Sequence, residues 1–327
     1  MPSSSSSSPP PPPPQSTFTP LLPSQPLPKN GPIRFPFQPP NLSVMLRDNM
    51  TLSSWLLSGA LLQGLAFTVF GPKSLIPPTM ILLYRLIDHL LMAAHITRNR
   101  YMDHTLQTKF SAQYPTTPST TPQHSGSTLS KYFPATPAAQ PLVVFHLGAR
   151  VNHPLGMFAP GWRDLGEYNQ KMLASMTADA EKYGLLGVSH WTKDAAAAGN
   201  ESMWVFYLRD YDALHRFAHD EVHMNGVRWW ASVVKTHPHI AIYHETYLVN
   251  KGQWENIYIN SEPTGLADAW FPVAEGDKGE KGQRMWVRAP VDARGGALRS
   301  ASRRLQRGWL EEAEKVEGEL YDRSFAA

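Results

Sequence analysis

PLVVFHLGARVN (Pro141–Asn152) is the stretch that decides the fold. Val143, Phe145, Leu147, Ala149 and Val151 alternate with Val144, His146, Gly148, Arg150 and Asn152, a period of two with one oily face and one carrying polar groups. Downstream, apolar residues at Leu165, Tyr168, Met172, Met176, Ala180 and Tyr183 follow helical spacing, with Gly184 placed to end the helix. LGVSHWT and SMWVFYLRD then read as two strands. Asp210 is an N-cap candidate for a helix carrying Tyr211, Leu214, Phe217 and Ala218. A second helical stripe, His223, Val227, Trp230 and Val234, ends before Pro238, and IAIYHETYLV (Ile240–Val249) is the closing strand. That order is strand–helix–strand–strand–helix–strand. It predicts an α+β, ferredoxin-like βαββαβ domain over residues 141–272, with GQWENIYIN adding a shorter fifth strand.

The rest of the 327-residue chain reads differently. Fifteen of its thirty prolines fall in the first forty residues, so 1–43 is expected to be a disordered Ser/Pro-rich tail. Residues 44–110 hold two apolar stretches, Leu52–Phe70 and Ser74–Ile96, the first uncharged over the length a bilayer core requires. In the second, Arg85 and Asp88 stand three apart and can pair on a helix, and Arg34, Arg47, Arg98 and Arg100 flank the two stretches. The expectation is an apolar helical pair for membrane attachment, a hairpin with both ends cytoplasmic. Residues 111–140 read as a Ser/Thr/Pro linker, and 273–327 as a charged linker with an amphipathic terminal helix near Leu305–Tyr321.

Composition excludes whole classes of function. The chain has no cysteine, hence no disulfide, thiolate metal site, iron–sulfur cluster or cysteine nucleophile. A net charge of +3 is too balanced to indicate a nucleic-acid partner. No Gly-rich strand–turn–helix fingerprint supports flavin or nicotinamide, and phosphate-loop and Ser–His–Asp signatures are missing. His219 and His223 are one helical turn apart, but HDEVH is not a zinc motif and offers no third ligand, so no metal site is expected. His244 shares a strand face with Ile240, Ile242 and Leu248, which predicts a neutral imidazole in an apolar setting. Glu245 points the other way with Tyr243 and Tyr247. Asn225 and Trp229 share a helix face, and Trp204, Phe206, Trp229 and Trp230 suit the walls of an apolar pocket.

WVFYLRDYDALHRFAHDEVHMNGVRWW, IAIYHETYLVNKGQWENIYIN and GLADAW together resemble a fungal family of small monooxygenase-type proteins. That family is associated with tailoring in fumagillin biosynthesis and grouped with the antibiotic-biosynthesis monooxygenases. The resemblance spans about Pro141 to Trp270 and implies a dimeric α+β barrel, because a sheet with helices on one face leaves its other face for a second copy. It implies cofactor-independent O2 chemistry on a lipophilic secondary metabolite, a terpenoid or polyketide, with O2, a membrane and a homodimer partner. In such enzymes a helix Asn and Trp hold the substrate oxygen with a first-strand Asn. Carried onto this chain, the catalytic set is His223, Asn225, Trp229 and His244, and the substrate-binding set Arg150, Asn152 and Trp230. His223 or His244 would serve as base. The alternative is haem: relatives that degrade haem, or dehydrate aldoximes with it, use an axial histidine for which His237 or His239 would stand. A non-catalytic lipophilic-ligand-binding protein is the third reading. The expected location is the endoplasmic reticulum membrane, with the catalytic domain facing the cytoplasm.

Overall fold

The computed structural model describes residues 18–26, 46–115, 133–193, 201–272 and 285–307. Strand β2 (Leu142–Val151) is central, after α1 (Leu52–Phe70), α2 (Ile76–Ala93) and β1 (Leu106–Ala112). It leads through α3 (Trp162–Ala178), β3 (Leu185–Thr192), β4 (Ser202–Leu208), α4 (Tyr211–Ala218) and α5 (Glu221–Val233) to β5 (Ile240–Val249). These strands form one antiparallel sheet in the order β3-β4-β2-β5, the ferredoxin-like arrangement that the alternation predicts. Asp210 caps α4 by accepting from the Ala213 amide at 2.6 Å, and Asp220 caps α5 by accepting from the Val222 amide at 3.1 Å. Helix α3 stops at Ala178, short of the expected end, and turns carry the chain to Gly184 at φ +59°.

The odd-numbered residues of β2 face the helices. Val143, Trp204, Phe206, Leu208 and Tyr183 are buried there with Leu173, Met176, Leu214 and Phe217, while Ala149, Val151 and Ile240 pack with Trp162 and Trp230. The expected stripe on α5 is only partly realised. Gly226 and Trp230 face inward, whereas Val227 and Val234 are exposed.

The other face of the sheet is where the structure departs furthest from the sequence reading. Its Leu142, Val144, Leu186, Tyr207 and Val249 are covered by the chain's own flanking segments. Strands β6 (Tyr258–Ser261), β7 (Trp270–Pro272), β8 (Met285–Arg288) and β9 (Pro290–Asp292) build two further antiparallel sheets, β9-β1-β6 and β7-β8 with a two-residue strand at Gln25–Pro26. Four expectations change accordingly. The GQWENIYIN segment pairs with β1 rather than extending the main sheet. Part of the expected tail enters the core, with Phe18 buried and Pro20 bridged to Val291. The expected linker over 111–140 carries strand residues at one end and buried Phe133 and Ala138 at the other. The expected charged linker over 273–327 supplies β8, β9 and buried Val287, Val291 and Leu298. These strands are short, and β9 finds its partner far off in sequence (Phe110 opposite Asp292), so no local alternation announces them. Of the expected terminal helix, residues 308–327 lie outside the described residues.

The WEN residues of the family-like signature hold this second layer together. Trp254 donates to the Gln140 carbonyl at 2.8 Å, and Glu255 pairs with Arg304 at 2.6 Å. Asn256 accepts from the Ala112 amide at 2.6 Å and returns a donor to the Ala112 carbonyl at 3.1 Å, so its side chain substitutes for a strand neighbour. Tyr258 stacks on Phe110 with ring centroids 5.1 Å apart.

The two apolar helices are joined by a short 3-10 segment at which the chain bends back toward α1. Gly71, at φ +63°, breaks the helical winding before the 3-10 turn Gly71–Leu75, and Gln63 donates across the bend to the Ser74 carbonyl at 3.3 Å. Leucines point outward all round the rod: Leu52 is 75%, Leu61 71% and Leu82 65% exposed. Asp88 pairs with Arg100 through two contacts, at 2.6 and 3.0 Å, rather than with Arg85. The fork of the Arg100 guanidinium matches both carboxylate oxygens.

Ala112 is fully buried, so Asn256→Ala strands one donor and one acceptor. A loss of roughly 2 kcal/mol is expected in a urea titration. Asn256→Asp, which keeps the acceptor alone, should fall between the two.

Candidate functional site

Helices cover the sheet unevenly. Strand β5 is an edge strand, paired only with β2 among the described residues, and its helix-facing residues Ile242, His244, Thr246 and Leu248 remain exposed. An open flank therefore runs along β5, leading inward to the half-buried Phe145 and Leu147 of β2. His244 stands on this flank with its ring 5.6 Å from that of Phe145, which in turn lies 5.7 Å from Phe206. The expected burial of His244 is not found, because no helix among the described residues covers β5 at that point.

On the far side of the same sheet face, His190 of β3 sits 4.8 Å from the Trp204 ring. Burial pushes this imidazole below its ordinary value of 6.5, so it is held neutral. Sequence reasoning passed over His190. Its only signal is that it points to the same side as Val188, two residues earlier on a strand whose inward face is apolar.

His223 lies on α5, edge-on to Phe217 at 5.6 Å. Its Nδ1 is 2.8 Å from the Ala218 carbonyl, which can only accept. The proton of the neutral ring is therefore on Nδ1, leaving Nε2 with a lone pair. Each imidazole meets a different ring of the helix-side apolar cluster, His244 that of Phe145, His190 that of Trp204 and His223 that of Phe217, and the first two stand on opposite edge strands of the sheet.

The remaining predicted residues do not converge on this cluster. Asn225 is exposed on the outer side of α5 and accepts from Arg228 at 2.8 Å; Arg228 also pairs with Glu221. Trp229 stacks on Tyr168 of α3, centroids 5.1 Å apart, and so joins two helices. Trp230 packs with Val151, Ile240 and Trp162. Asn152 lies past the end of β2, exposed, with its amide bonded to the His239 carbonyl at 2.6 Å.

Arg150 is on the opposite face of the sheet. There its guanidinium lies 3.5 Å from Glu201, which also accepts from Tyr243 at 3.0 Å and Lys193 at 3.3 Å. Burial pushes the Glu201 carboxyl up, and the bonds from Tyr243 and Lys193 with the charge of Arg150 outweigh it, holding the group below the usual carboxylate range. Gly148 is required here: a Cβ at that position would fall inside the Tyr243 ring that crosses it. Beside this group, His146 approaches Glu245 at 3.7 Å, and Tyr247 donates to Glu245 at 2.7 Å. Arg150 is thus separated from the helix-side histidines by the sheet itself, and Asn152 lies beyond the strand's end.

Haem can be tested on the residues present. His239 directs Nε2 to the Pro160 carbonyl at 2.9 Å, and His237 packs its Nε2 edge on Gly161 while Nδ1 meets Thr236 and Val233. Neither ring presents an open Nε2 toward the helix–sheet cluster, so these residues do not fit an axial ligand. Among the described residues, no group of three or more His, Asp or Glu side chains is arranged to hold a metal ion.

Because the folded state disfavours protonated His190, the unfolded chain binds that proton more readily below about pH 6.5, and stability must fall as pH drops through this value. His190→Gln should remove that part of the acid destabilisation, seen as a smaller difference between urea midpoints at about pH 5 and about pH 7.5.

The sequence model of the family described as monooxygenase af470-like matches residues 142–266, from the first residue of β2 into the turn after β6. Monooxygenase af470 of Aspergillus fumigatus is 28% identical over 268 residues, covering 81% of this chain and 91% of that protein. Among solved structures, an aldoxime dehydratase in complex with butyraldoxime is 14% identical, with 39% of this chain and 36% of that one covered and a TM-score of 0.32. SnoaB, a cofactor-independent oxygenase from Streptomyces nogalater, is also 14% identical, with 32% and 90% covered and a TM-score of 0.23. The sheet and helices that carry the three histidines thus lie inside the matched segment, and through residues 142–266 the chain is similar to the monooxygenase af470-like family.

Proposed function

We propose that the protein is a membrane-attached monooxygenase that oxidises a lipophilic secondary metabolite, a terpenoid or polyketide, without a bound cofactor. The family match over residues 142–266 carries this reading. The substrate enters along the open flank of β5 and rests on Phe145 and Leu147. His244 or His223, acting as a neutral imidazole with a lone pair available, takes a proton from a carbon next to an electron-withdrawing group. The carbanion passes its electrons to O2. Overall a CH2 group becomes a carbonyl: one oxygen atom enters the product and the other leaves as water, with all electrons supplied by the substrate.

Asn225 does not take part in this scheme, since Arg228 holds it on the outer surface. Arg150 with Glu201 and Tyr243 supports the second face of the sheet instead. Association as a homodimer remains part of the proposal, with the part of that face around His146, Gly148 and Arg150 as the surface a second copy would meet.

Membrane attachment rests on Leu52–Ala93, 42 residues of helix with a bend at Gly71, whose most apolar stretch is nowhere buried. Arg47 before the rod, and Arg98 and Arg100 after it, favour both ends on the cytoplasmic side, here of the endoplasmic reticulum.

The test is gene deletion in the native host with profiling of lipophilic metabolites under 18O2. One product should vanish and a precursor richer by two hydrogens and poorer by one oxygen should accumulate. Wild-type chain should restore the product with one 18O atom. His244→Ala and His223→Ala should together lower it by about 10²–10⁴-fold. A product lacking 18O, or one unaffected by the paired substitutions, would overturn the scheme. Purified full-length chain should be colourless, whereas an intense haem band would redirect the assignment.

A further inference from the structure

The loop after β2 carries apolar side chains with nothing packed over them among the described residues. Leu155 is 56% and Phe158 65% exposed, between the exposed prolines Pro154 and Pro160. In the middle of this loop, the Met157 amide donates to the Asn49 side chain at 2.6 Å. Asn49 precedes the first residue of α1, Leu52, by three positions. Three residues of extended chain span at most about 10 Å. The loop is therefore held close to the point where the apolar rod begins. Trp55 shortens the reach further, since its indole donates back to the Arg47 carbonyl at 2.9 Å and ties the first turn of α1 to the segment that carries Asn49.

We propose that Pro154–Pro160 is a second membrane-contacting element, with Leu155 and Phe158 inserted at the bilayer interface beside the base of α1. This rests on the reading that α1 and α2 enter a membrane. The occupant of the loop's apolar surface is lipid. An exposed Leu–Phe pair flanking a residue anchored to the foot of an unburied apolar helix fits the headgroup–acyl boundary, where apolar side chains gain by burial to modest depth. The orientation follows. The β2 end at Val151 faces the membrane and the β2 start at Leu142 faces away. His244, opposite Leu147, lies four residues of strand from Val151, about 13 Å from the lipid-facing end of the sheet. The open flank of β5 then begins at the bilayer surface, and a substrate dissolved in lipid reaches His244 without crossing water.

The chain has no cysteine, so single cysteines can be labelled uniquely in the full-length protein. Leu155→Cys, Phe158→Cys, Leu61→Cys within α1 and Tyr211→Cys at the opposite end of the domain would each carry an environment-sensitive nitrobenzoxadiazole probe. The proteins are reconstituted into phosphatidylcholine–phosphatidylserine vesicles, with and without doxyl-labelled phosphatidylcholine. The expected result is blue-shifted emission and several-fold quenching by the doxyl lipid at Leu155, Phe158 and Leu61, with Tyr211 unquenched. Quenching at Leu61 with none at Leu155 and Phe158 overturns the proposal while leaving membrane attachment standing. A blue shift at Phe158 without doxyl quenching means that protein, such as a second copy, covers the loop, and it also overturns the proposal. Failure of the Leu61 probe to be quenched, or of the protein to float with vesicles, overturns both readings.

Discussion

The structure depends on how the second face of the main sheet is covered. A four-stranded antiparallel sheet with helices on one side leaves a half-apolar surface that cannot remain in water. In this chain Leu142, Val144, Leu186, Tyr207 and Val249 of that surface meet Phe110, Phe271, Val287 and Val291, drawn from segments that precede and follow the domain's main sheet. The covering is intramolecular along part of the face. The remaining part, around His146, Gly148 and Arg150, is polar and braced by the Arg150–Glu201–Tyr243 and His146–Glu245–Tyr247 groups. The physical demand for a partner sheet is thus smaller than the fold class alone implies.

This covering also accounts for the placement of the motif residues. GQWENIY occurs at the junction between the main sheet and its cover, so Trp254, Glu255, Asn256 and Tyr258 are occupied with backbone carbonyls, Arg304 and Phe110. HETY lies on the outer strand β5, where His244 looks toward the helices and Glu245 and Tyr247 toward the opposite face. A single contiguous motif therefore divides between the two faces. Adjacency along a strand separates side chains across a sheet, whereas residues distant in sequence, such as His190, Phe145 and His244, share a side.

On its helix side the sheet is open along the flank of β5. The imidazoles on that side differ in environment: His190 is half-buried with its pKa lowered, His223 is oriented by a backbone carbonyl, and His244 is exposed. The same flank begins at the sheet end whose following loop is anchored to the foot of the apolar rod.

Much of the architecture was legible from local pattern. The period-two alternation of Val143–Val151, the helical spacing after Leu165 and the capping aspartate Asp210 each express a backbone preference acting within a few residues, and the family resemblance rested on residues that lie largely inside the matched segment. The apolar character of Leu52–Phe70 is likewise a property of composition. Only the tertiary structure decided the rest. Strands of three or four residues at 258–261, 270–272, 285–288 and 290–292 have no period long enough to read. Those at 258–261, 285–288 and 290–292 exist because partners more than a hundred residues away, in β1 and at Gln25–Pro26, complete their hydrogen bonds. The placement of Arg150 on the opposite face, the exposure of His244 and the partial burial of His190 depend on which elements pack over each strand. That is a property of the assembled layers and not of any spacing along the chain.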